Sequence, residues 1–270
     1  MKFIKPKVEL LIQENGLKGI YRQIEKVGRT CYRSENKITE NSAKPFVERI
    51  VKSKHLSVCE HGTVYLTILE KDFDNESFPY SRVEYSNGIF YITTNYRVLL
   101  ENNLTKYLCY ITTPTEYHTQ RICLKFTTSI GVSREFNRHR TFSIAEQSTR
   151  YCNYSKDKFG GEISYILPSW IFKDELRNLG TAEHAYYRAL QTAEQQYMSL
   201  TTRLGMQPQQ AREVLPLSTA TEVVYTGFVD DWKHFFDLRY RGTTGAPHPD
   251  AKLIATAAHD LIEYKLNLNL

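Results

Sequence analysis

Apolar positions along this chain switch repeatedly between the two-residue period of a strand and the 3.6-residue period of a helix. Strand-like runs occur at 7–12, 63–69, 121–127, 163–167 and 219–228. Two further short runs, 83–85 and 89–92, flank the pair Asn87-Gly88, which predicts a hairpin because these residues accept a positive φ. The pattern therefore predicts several strands, one pair of them joined by a tight turn.

Helical spacing of apolar residues predicts helices between these strands. They are expected at 17–27, 42–51, 94–101, from 131, at 181–200, from 208, at 230–239 and at 248–262. The clearest is 181–200, where Thr181 is the predicted N-cap of a long apolar stripe. For the helix after the last strand, the predicted N-cap is Asp230 or Asp231.

Strands and helices alternate irregularly, and no repeat, low-complexity tract or linker divides the chain. Such an order favours an α+β fold over the regular alternation of a parallel α/β protein. We therefore predict a mixed or antiparallel sheet flanked by helices, in a single domain over residues 1–270.

One stretch, Arg138–Tyr151, fits neither period and is predicted to lie outside the core. It combines three arginines, one histidine, one carboxylate and several hydroxyl side chains. Arginine gives planar, permanently charged, bidentate contacts, and hydroxyl groups complete the hydrogen bonds of an oxyanion. The stretch therefore predicts a site for a phosphate-bearing ligand, to which Arg212 and Arg239 could lean from nearby helices.

Composition and charge limit the classes of ligand and the cellular setting that we expect for this chain. The 270 residues carry a net charge of +5, which suits an anionic small molecule and requires no nucleic-acid partner. Five cysteines, an odd number without a Cys-x-x-Cys spacing, argue against a disulfide framework or a zinc site and favour a reducing cytoplasm. The N-terminus lacks the apolar region of a signal peptide, and no apolar run reaches membrane-spanning length.

A second polar cluster, His55–Gly62, places two histidines and Glu60 in a short turn before a strand. Metal sites usually need a third ligand at regular spacing, so no metal is expected here. Ligand hydrogen bonding and a simple helix-to-strand connection remain the two alternatives.

No nucleophile is marked by a catalytic motif. The sequence contains no Gly-x-Ser-x-Gly, phosphate-binding P-loop or Gly-x-Gly-x-x-Gly. Ser148 has no base adjacent in sequence, which favours a binding role over attack, and nothing marks Cys152 as an activated thiolate.

Arg138-His139-Arg140, followed by Ser148 and then Arg150-Tyr151, resembles the signature of the flavin-dependent thymidylate synthases. Other blocks resemble that family in the same order along the chain. They are Arg29-Thr30-Cys31-Tyr32, His55-x-Ser57-x-x-Glu60-His61, Ala211-Arg212 to Leu215-Pro216, Phe235-Phe236 to Leu238-Arg239, and His248-Pro249. Residues 71–116 look like an insertion relative to shorter members.

The resemblance implies a thymidylate synthase-complementing-like fold and the reductive methylation of dUMP to dTMP. Methylenetetrahydrofolate would supply the carbon, and FAD reduced by NADPH would supply the hydride. Members of the family are homotetramers with active sites between subunits, so a second copy of this chain is an expected partner.

The resemblance also assigns residues. The FAD-binding residues would be Cys31, His55, Ser57, Glu60, Arg138, His139, Arg140, Thr141, His234 and His248. The dUMP-binding residues would be Glu135, Glu146, Gln147, Ser148, Arg150, Arg212 and Arg239, with Arg239 and Ser148 acting at the reacting ring. Departures from the family pattern include Ala145 where Asn is common, Glu135 where Gln is common, and Phe228, Asp230 and His234 near the expected flavin.

Two other functions remain open on the residues alone. The arginine-rich stretch could be a basic arm that binds single-stranded nucleic acid, with tyrosines stacking on bases. Alternatively, the departures at Ala145, Phe228 and Asp230 could mark a nucleotide-binding protein that has lost flavin and catalysis.

Overall fold

A computed structural model describes residues 1–156, 159–268 and 270 of the chain. Within these ranges nine strands form three sheets. The strands are β1 (Lys2–Ile4), β2 (Lys7–Leu10), β3 (Thr63–Leu69), β4 (Arg82–Ser86), β5 (Ile89–Asn95), β6 (Arg121–Ser129), β7 (Ser143–Glu146), β8 (Ser164–Ile166) and β9 (Ala220–Phe228). The central sheet has the order β2-β6-β9-β7 and is antiparallel throughout.

The two smaller sheets complete the mixed topology. β3-β5-β4 is antiparallel, and β1 pairs with β8 in parallel. Helices of differing length flank the sheets, so the predicted α+β class with a mixed or antiparallel sheet is confirmed. The α-helices are α1 (Gly16–Thr30), α2 (Ala43–Lys52), α3 (Tyr96–Glu101), α4 (Ile130–Phe136), α5 (Ala182–Met198), α6 (Pro208–Ala211), α7 (Val229–Phe236) and α8 (Pro249–Leu266).

The central sheet is covered on both faces. One face carries Phe126 and Tyr225, which pack with Trp232, Phe235 and α8 in an aromatic core. The opposite face packs Cys123, Ala145 and Val224 against Leu11 and Val27, the last of these on α1. Because both faces are buried, β9 is apolar or small along nearly its whole length rather than alternating.

A second core lies between α1, α2 and the β3-β5-β4 sheet, and includes Ile24, Phe46, Leu66 and Ile92. Residues 71–116 contribute β4, β5 and α3 to it, and Phe78 and Tyr107 are buried there. This segment is therefore integral to a core, although its being an insertion and the count of one domain stay predictions.

Several predicted elements are confirmed. β3 matches its predicted bounds, the hairpin β4–β5 turns at Asn87-Gly88 with positive φ at both residues, and Thr181 caps α5 through its side chain. The predicted N-cap of the helix after β9 is wrong, because that helix begins at Val229. Asp231, in its first turn, accepts a hydrogen bond from the Phe228 amide at 2.9 Å.

The stretch Arg138–Tyr151 also departs from expectation, since its middle is the edge strand β7. Phe142, Ser143 and Ala145 are buried, so this polar stretch is partly core after all. Pairing with β9 satisfies the backbone groups on one side of β7, so a segment with polar residues at both ends can still form a strand. Among the described helices, none is both long and apolar enough to cross a bilayer.

Candidate active site

Strand β7 separates the signature into two halves. Its first residue, Ser143, pairs with Thr226, and its last, Glu146, pairs with Val223. Each of these two end residues lines a different cavity. The strand therefore carries the residues before it to one cavity and the residues after it to another.

The cavity at the Glu146 end, here called the α4 cavity, has a volume of about 610 Å³. Its polar lining residues are Ser133, Arg134, Asn137, Glu146, Gln147, Ser148, Thr149, Arg150, Arg212 and Glu213. Five of the seven predicted dUMP residues are among them, contributed by β7, the turn after it and the helical turn at Arg212. The sequence assigned no role to Arg134, although it follows Ser133 on α4.

Glu146 is held as an acceptor at the cavity wall. The Ser133 hydroxyl donates to Glu146 Oε1 at 2.8 Å, and the Thr221 hydroxyl donates to the same oxygen at 3.0 Å. These two contacts occupy one carboxylate oxygen and orient the group. The second oxygen remains available to accept from a donor group of a ligand.

The turn at Ser148 is fixed through the backbone of Cys31. The Ser148 amide donates to the Cys31 carbonyl at 2.9 Å, and the Cys152 amide donates to the Ser148 carbonyl at 3.0 Å. The Ser148 hydroxyl accepts from the Arg150 amide at 3.3 Å, and no carboxylate or imidazole of the described residues hydrogen-bonds to it. Burial raises the pKa of the Cys31 thiol to about 11, so the thiol is neutral at pH 7.

Arg150 and Arg212 make only loose contacts within the chain. Arg150 Nη2 donates to Gln209 Oε1 at 3.4 Å, and Arg212 Nη1 donates to the Thr149 hydroxyl at 3.4 Å. The Arg212–Glu213 ion pair is 3.6 Å long, and the Glu213 side chain is largely exposed. Both guanidinium groups can therefore turn toward an anion at little cost.

Gln147 is buried, and its Nε2 donates to the Tyr154 hydroxyl at 3.4 Å. Its backbone amide donates to the Glu222 carbonyl at 2.8 Å. The side chain is thus held at the cavity floor rather than free in solvent.

The cavity at the Ser143 end, here called the α3 cavity, has a volume of about 460 Å³. Its lining includes three predicted FAD residues, Glu60, Arg140 and Thr141. The other lining residues are Pro79, Tyr80, Asn95, Arg97, Val98, Glu101, Asn102, Arg121, Phe142, Ser143, Gly227 and Phe228. Many of these come from the segment after Gly62, which gave no signal of a site in the sequence.

Ion pairs define one side of the α3 cavity. Arg97 donates to Glu60 at 2.6 Å and lies 2.9 Å from Glu101 on the same helix. Phe228 lies under two guanidinium groups, with Arg82 at 4.6 Å and Arg121 at 5.5 Å from the ring centroid. Phe228, which departs from the family pattern, therefore makes favourable contacts with two arginines of this chain, because the face of an aromatic ring attracts cations.

Arg239 lies in neither lining and is engaged in a network of its own. Its Nε donates to His139 Nε2 at 3.0 Å, and its Nη1 donates to the Glu135 carboxylate at 3.0 Å. Burial, then the charges of Arg239 and His234, lowers the pKa of His139 to about 4. His139 is therefore neutral at pH 7 and can accept the hydrogen bond from the guanidinium.

Seven of the ten predicted FAD residues line neither cavity, namely Cys31, His55, Ser57, Arg138, His139, His234 and His248. His55, Ser57 and Arg138 are exposed, and His248 is exposed with its ring 5.6 Å from that of Trp170. His234 is also exposed, 5.9 Å from the His139 ring. A single chain thus brings together only part of the predicted FAD set.

The sequence model of the family described as "Thymidylate synthase complementing protein" matches residues 87–263, more than half of the chain. The chain belongs to this family. The match includes the whole of Arg138–Tyr151, so the resemblance read from the signature is confirmed.

Several flavin-dependent thymidylate synthases are similar in sequence. A probable one from Paramecium bursaria Chlorella virus 1 is 26% identical over 149 residues, covering 50% of this chain and 63% of the relative. One from Corynebacterium efficiens is 29% identical over 148 residues, covering 50% and 55%. One from Mycobacterium sp. (strain JLS) is 26% identical over 235 residues, covering 80% and 66%. The chain therefore spans somewhat under two thirds of the length of these relatives.

Among solved structures, the chain is similar to the UMP/dUMP methylase PolB from Streptomyces cacaoi bound with 5-Br dUMP. The TM-score is 0.49 and the identity 16%, with 98% of this chain and 93% of that chain covered.

Proposed function

We propose that this family member catalyses the reductive methylation of dUMP to dTMP. Methylenetetrahydrofolate would donate the carbon, and FAD reduced by NADPH would donate the hydride. The observation that carries the proposal is the position of β7, which joins an arginine-rich cavity for an anion to a second cavity that contains predicted flavin residues. A family match across both halves of the signature adds support.

The α4 cavity is the proposed nucleotide site. Arg150 and Arg212 would grip the 5′-phosphate, because their internal contacts are long and easily exchanged for charge-assisted hydrogen bonds. The Ser148 hydroxyl would donate to the same group. Glu146 would accept from a donor on the base or sugar, held in place by Ser133 and Thr221.

The α3 cavity is the proposed flavin site. Its chemistry fits a dinucleotide, since guanidinium groups lie beside apolar and aromatic side chains such as Phe142 and Phe228. Glu60, Arg140 and Thr141 would contact the cofactor from this cavity. When bound, FAD supplies the hydride-transfer chemistry, and the protein supplies orientation and charge.

Arg239 would act near the reacting base through its network. Its guanidinium is already bound to Glu135 and His139, so an approach to a uracil carbonyl requires exchange of one of these partners. A positive charge there would stabilise negative charge that develops as the ring accepts a nucleophile.

A homotetramer with shared sites forms part of the proposal. His55, Ser57, Arg138 and His248 are exposed on the chain surface and are not lining residues of either cavity. Such positions are expected for residues that complete a cofactor site on a neighbouring copy.

The decisive test is the visible spectrum of the purified protein, followed by NADPH oxidation with and without dUMP. We expect flavin bands near one per chain, and dTMP formation that requires dUMP, methylenetetrahydrofolate and NADPH together. A colourless protein that takes up no added FAD would overturn the proposal. Binding of dUMP without NADPH oxidation would instead support a nucleotide-binding protein without catalysis.

A further inference from the structure

Strand β4 is the outer strand of the β3-β5-β4 sheet, and no described strand pairs with its free side. Ser86 and Ile89 form the pair that flanks the two-residue turn Asn87-Gly88. In a turn of this length the flanking pair is hydrogen-bonded, and hydrogen-bonded and non-hydrogen-bonded pairs then alternate along the strands. The amide and carbonyl groups of Val83 and Tyr85 therefore point away from β5, toward the free side of the sheet.

The core-facing side chains at this edge are incompletely covered. Val83 pairs with Ile92, which belongs to the second core, and Tyr85 pairs with Phe90, which packs against that core. Val83 and Tyr85 are each 48% exposed, whereas Ile92 is completely buried. A strand added beside β4 would extend the sheet and remove apolar surface of both side chains from water.

The opposite face of β4 carries two charges of opposite sign. Arg82 and Glu84 alternate with the apolar residues, and both side chains are exposed. Arg82 contacts the Phe228 ring, but neither Arg82 nor Glu84 forms an ion pair with any described residue. Because they lie two positions apart on one face, an antiparallel copy of the same strand can supply an opposite charge to each.

We infer that β4 is a self-complementary docking edge that pairs antiparallel with β4 of a second copy of this chain, with Val83 opposite the partner's Val83. This register joins the outward-pointing backbone groups of the two Val83 residues and places each Arg82 opposite the partner's Glu84. A register centred on Glu84 or on Arg82 would place like charges opposite each other, which is unfavourable. Charge therefore selects one register for the pair.

The contact is separate from the proposed sharing of active sites between copies, because β4 contains none of the predicted FAD or dUMP residues. Two strands of five residues bury little surface, so the contact is expected to be weak by itself. A covalent trap is therefore the most sensitive probe of it.

The first test mixes two variants of the full chain, Arg82→Cys and Glu84→Cys, and oxidises them with copper phenanthroline. In the inferred register the two new thiols face each other at a non-hydrogen-bonded pair, where the Cβ atoms are close enough for a disulfide, and the second Arg82–Glu84 pair is retained. Both variants carry Cys109→Ser, which removes the exposed cysteine. A non-reducing gel should show at least about tenfold more dimer in the mixture than in either variant alone.

Each outcome of this test decides the register. Dimers formed by Glu84→Cys alone would indicate the register centred on Glu84 and overturn the inferred one. A mixture that forms no more dimer than the separate variants would overturn the docking edge itself. Flavin uptake is measured on the same samples: cross-linking without flavin uptake would leave the docking edge standing and count against the proposed function.

The second test reverses charges and measures association by sedimentation over a range of concentrations. Glu84→Arg places arginines opposite each other and should weaken association through β4 about 10- to 30-fold, whereas the double exchange Arg82→Glu with Glu84→Arg should restore it to within about threefold. Glu116→Arg is the matched control, since Glu116 is exposed, lies in the same 71–116 region and gives the same change in net charge. Equal weakening by Glu84→Arg and Glu116→Arg, or no recovery in the double exchange of a chain that unfolds at the wild-type temperature, would overturn the pairing.

Discussion

The two cavities at the ends of β7 hold their cations in different ways. In the α4 cavity, Arg150 and Arg212 contact neutral oxygens at 3.4 Å, and Arg212 lies 3.6 Å from the largely exposed Glu213 carboxylate. In the α3 cavity, Arg97 is locked to two carboxylates and Arg121 is fixed by three neutral acceptors at 3.0 to 3.3 Å. The cations of the α4 cavity are thus weakly held, whereas those of the α3 cavity, apart from the exposed Arg140, are held in fixed positions.

This difference matches two kinds of ligand. A substrate must enter and leave in each turnover, and side chains with weak internal contacts can follow it at small cost. A resident cofactor is better served by groups that lose little freedom when it binds. The comparison therefore supports binding of the nucleotide at the α4 cavity and of the flavin at the α3 cavity.

The largest expected effect is on dUMP affinity. Arg212→Ala should weaken dUMP binding about 10- to 100-fold, because a charge-assisted phosphate contact is lost, while FAD binding stays within about twofold. Calorimetric titration of each ligand measures both values. Arg188→Ala removes an exposed arginine of α5 that contacts Gln191 and should leave both affinities unchanged. If FAD affinity fell as far as dUMP affinity, the separation of the two cavities would be wrong.

The next effect concerns the pH dependence of stability at His139, a predicted FAD residue that accepts a hydrogen bond from Arg239. The pKa of His139 is lowered from 6.5 to about 4, so its contribution to stability is complete above pH 6.5 and is lost as the pH falls toward 4. His139→Gln keeps an acceptor for Arg239 and removes this titration. The variant should therefore lose about 2 kcal/mol less unfolding free energy than wild type between pH 7 and pH 5.

Urea unfolding at the two pH values measures this difference. His61, whose pKa burial lowers to about 3, remains in both proteins and adds the same background loss. Identical pH dependence in wild type and variant would show that His139 is charged, or equally solvated, in the folded chain.

A smaller effect is expected at Ala145, which lies on β7 between the two cavities. Its side chain packs against Leu11, Val27, Cys123 and Val224. Ala145→Asn, which restores the residue common in the family, would bury an amide among apolar groups and should cost about 1–3 kcal/mol of unfolding free energy. Ala182→Asn, at an exposed position of α5, is the control and should cost well under about 1 kcal/mol. An unchanged urea midpoint for Ala145→Asn would mean that the amide finds partners.

The smallest effect is expected at Ser148. If the hydroxyl only binds, Ser148→Ala should weaken dUMP binding about 2- to 10-fold, since one neutral hydrogen bond is lost. The maximal rate should then change by a similar small factor. Steady-state rates at saturating dUMP test this, and a loss of about 10⁴-fold would identify Ser148 as a nucleophile.

Part of the fold was predictable from local pattern. β3, the β4–β5 hairpin and the capped helix α5 follow from alternation, turn residues and an N-cap, which are all local signals. β7 was not predictable because its pattern is polar at both ends. Only its pairing with β9, a partner about 80 positions away in sequence, makes it a strand.

The residues of the two cavities likewise include some that the sequence predicted and some that it did not. The signature predicted ligand contacts for Arg140, Ser148 and Arg150 because their types and spacing resemble those of the family. Arg121 and Arg97 gave no comparable signal, since a lone arginine at the start of a strand or on a short helix is ordinarily a surface residue.

The family, the residue types of the signature and most of the clearly patterned helices and strands follow from the amino-acid sequence. Tertiary structure alone decided that one signature serves two cavities, because β7 pairs as an edge strand and points its ends in opposite directions. It also decided which arginines are free and which are held. That property depends on carboxylates and carbonyls brought close by folding, such as Glu60 beside Arg97 and Arg121, and no spacing along the chain encodes it.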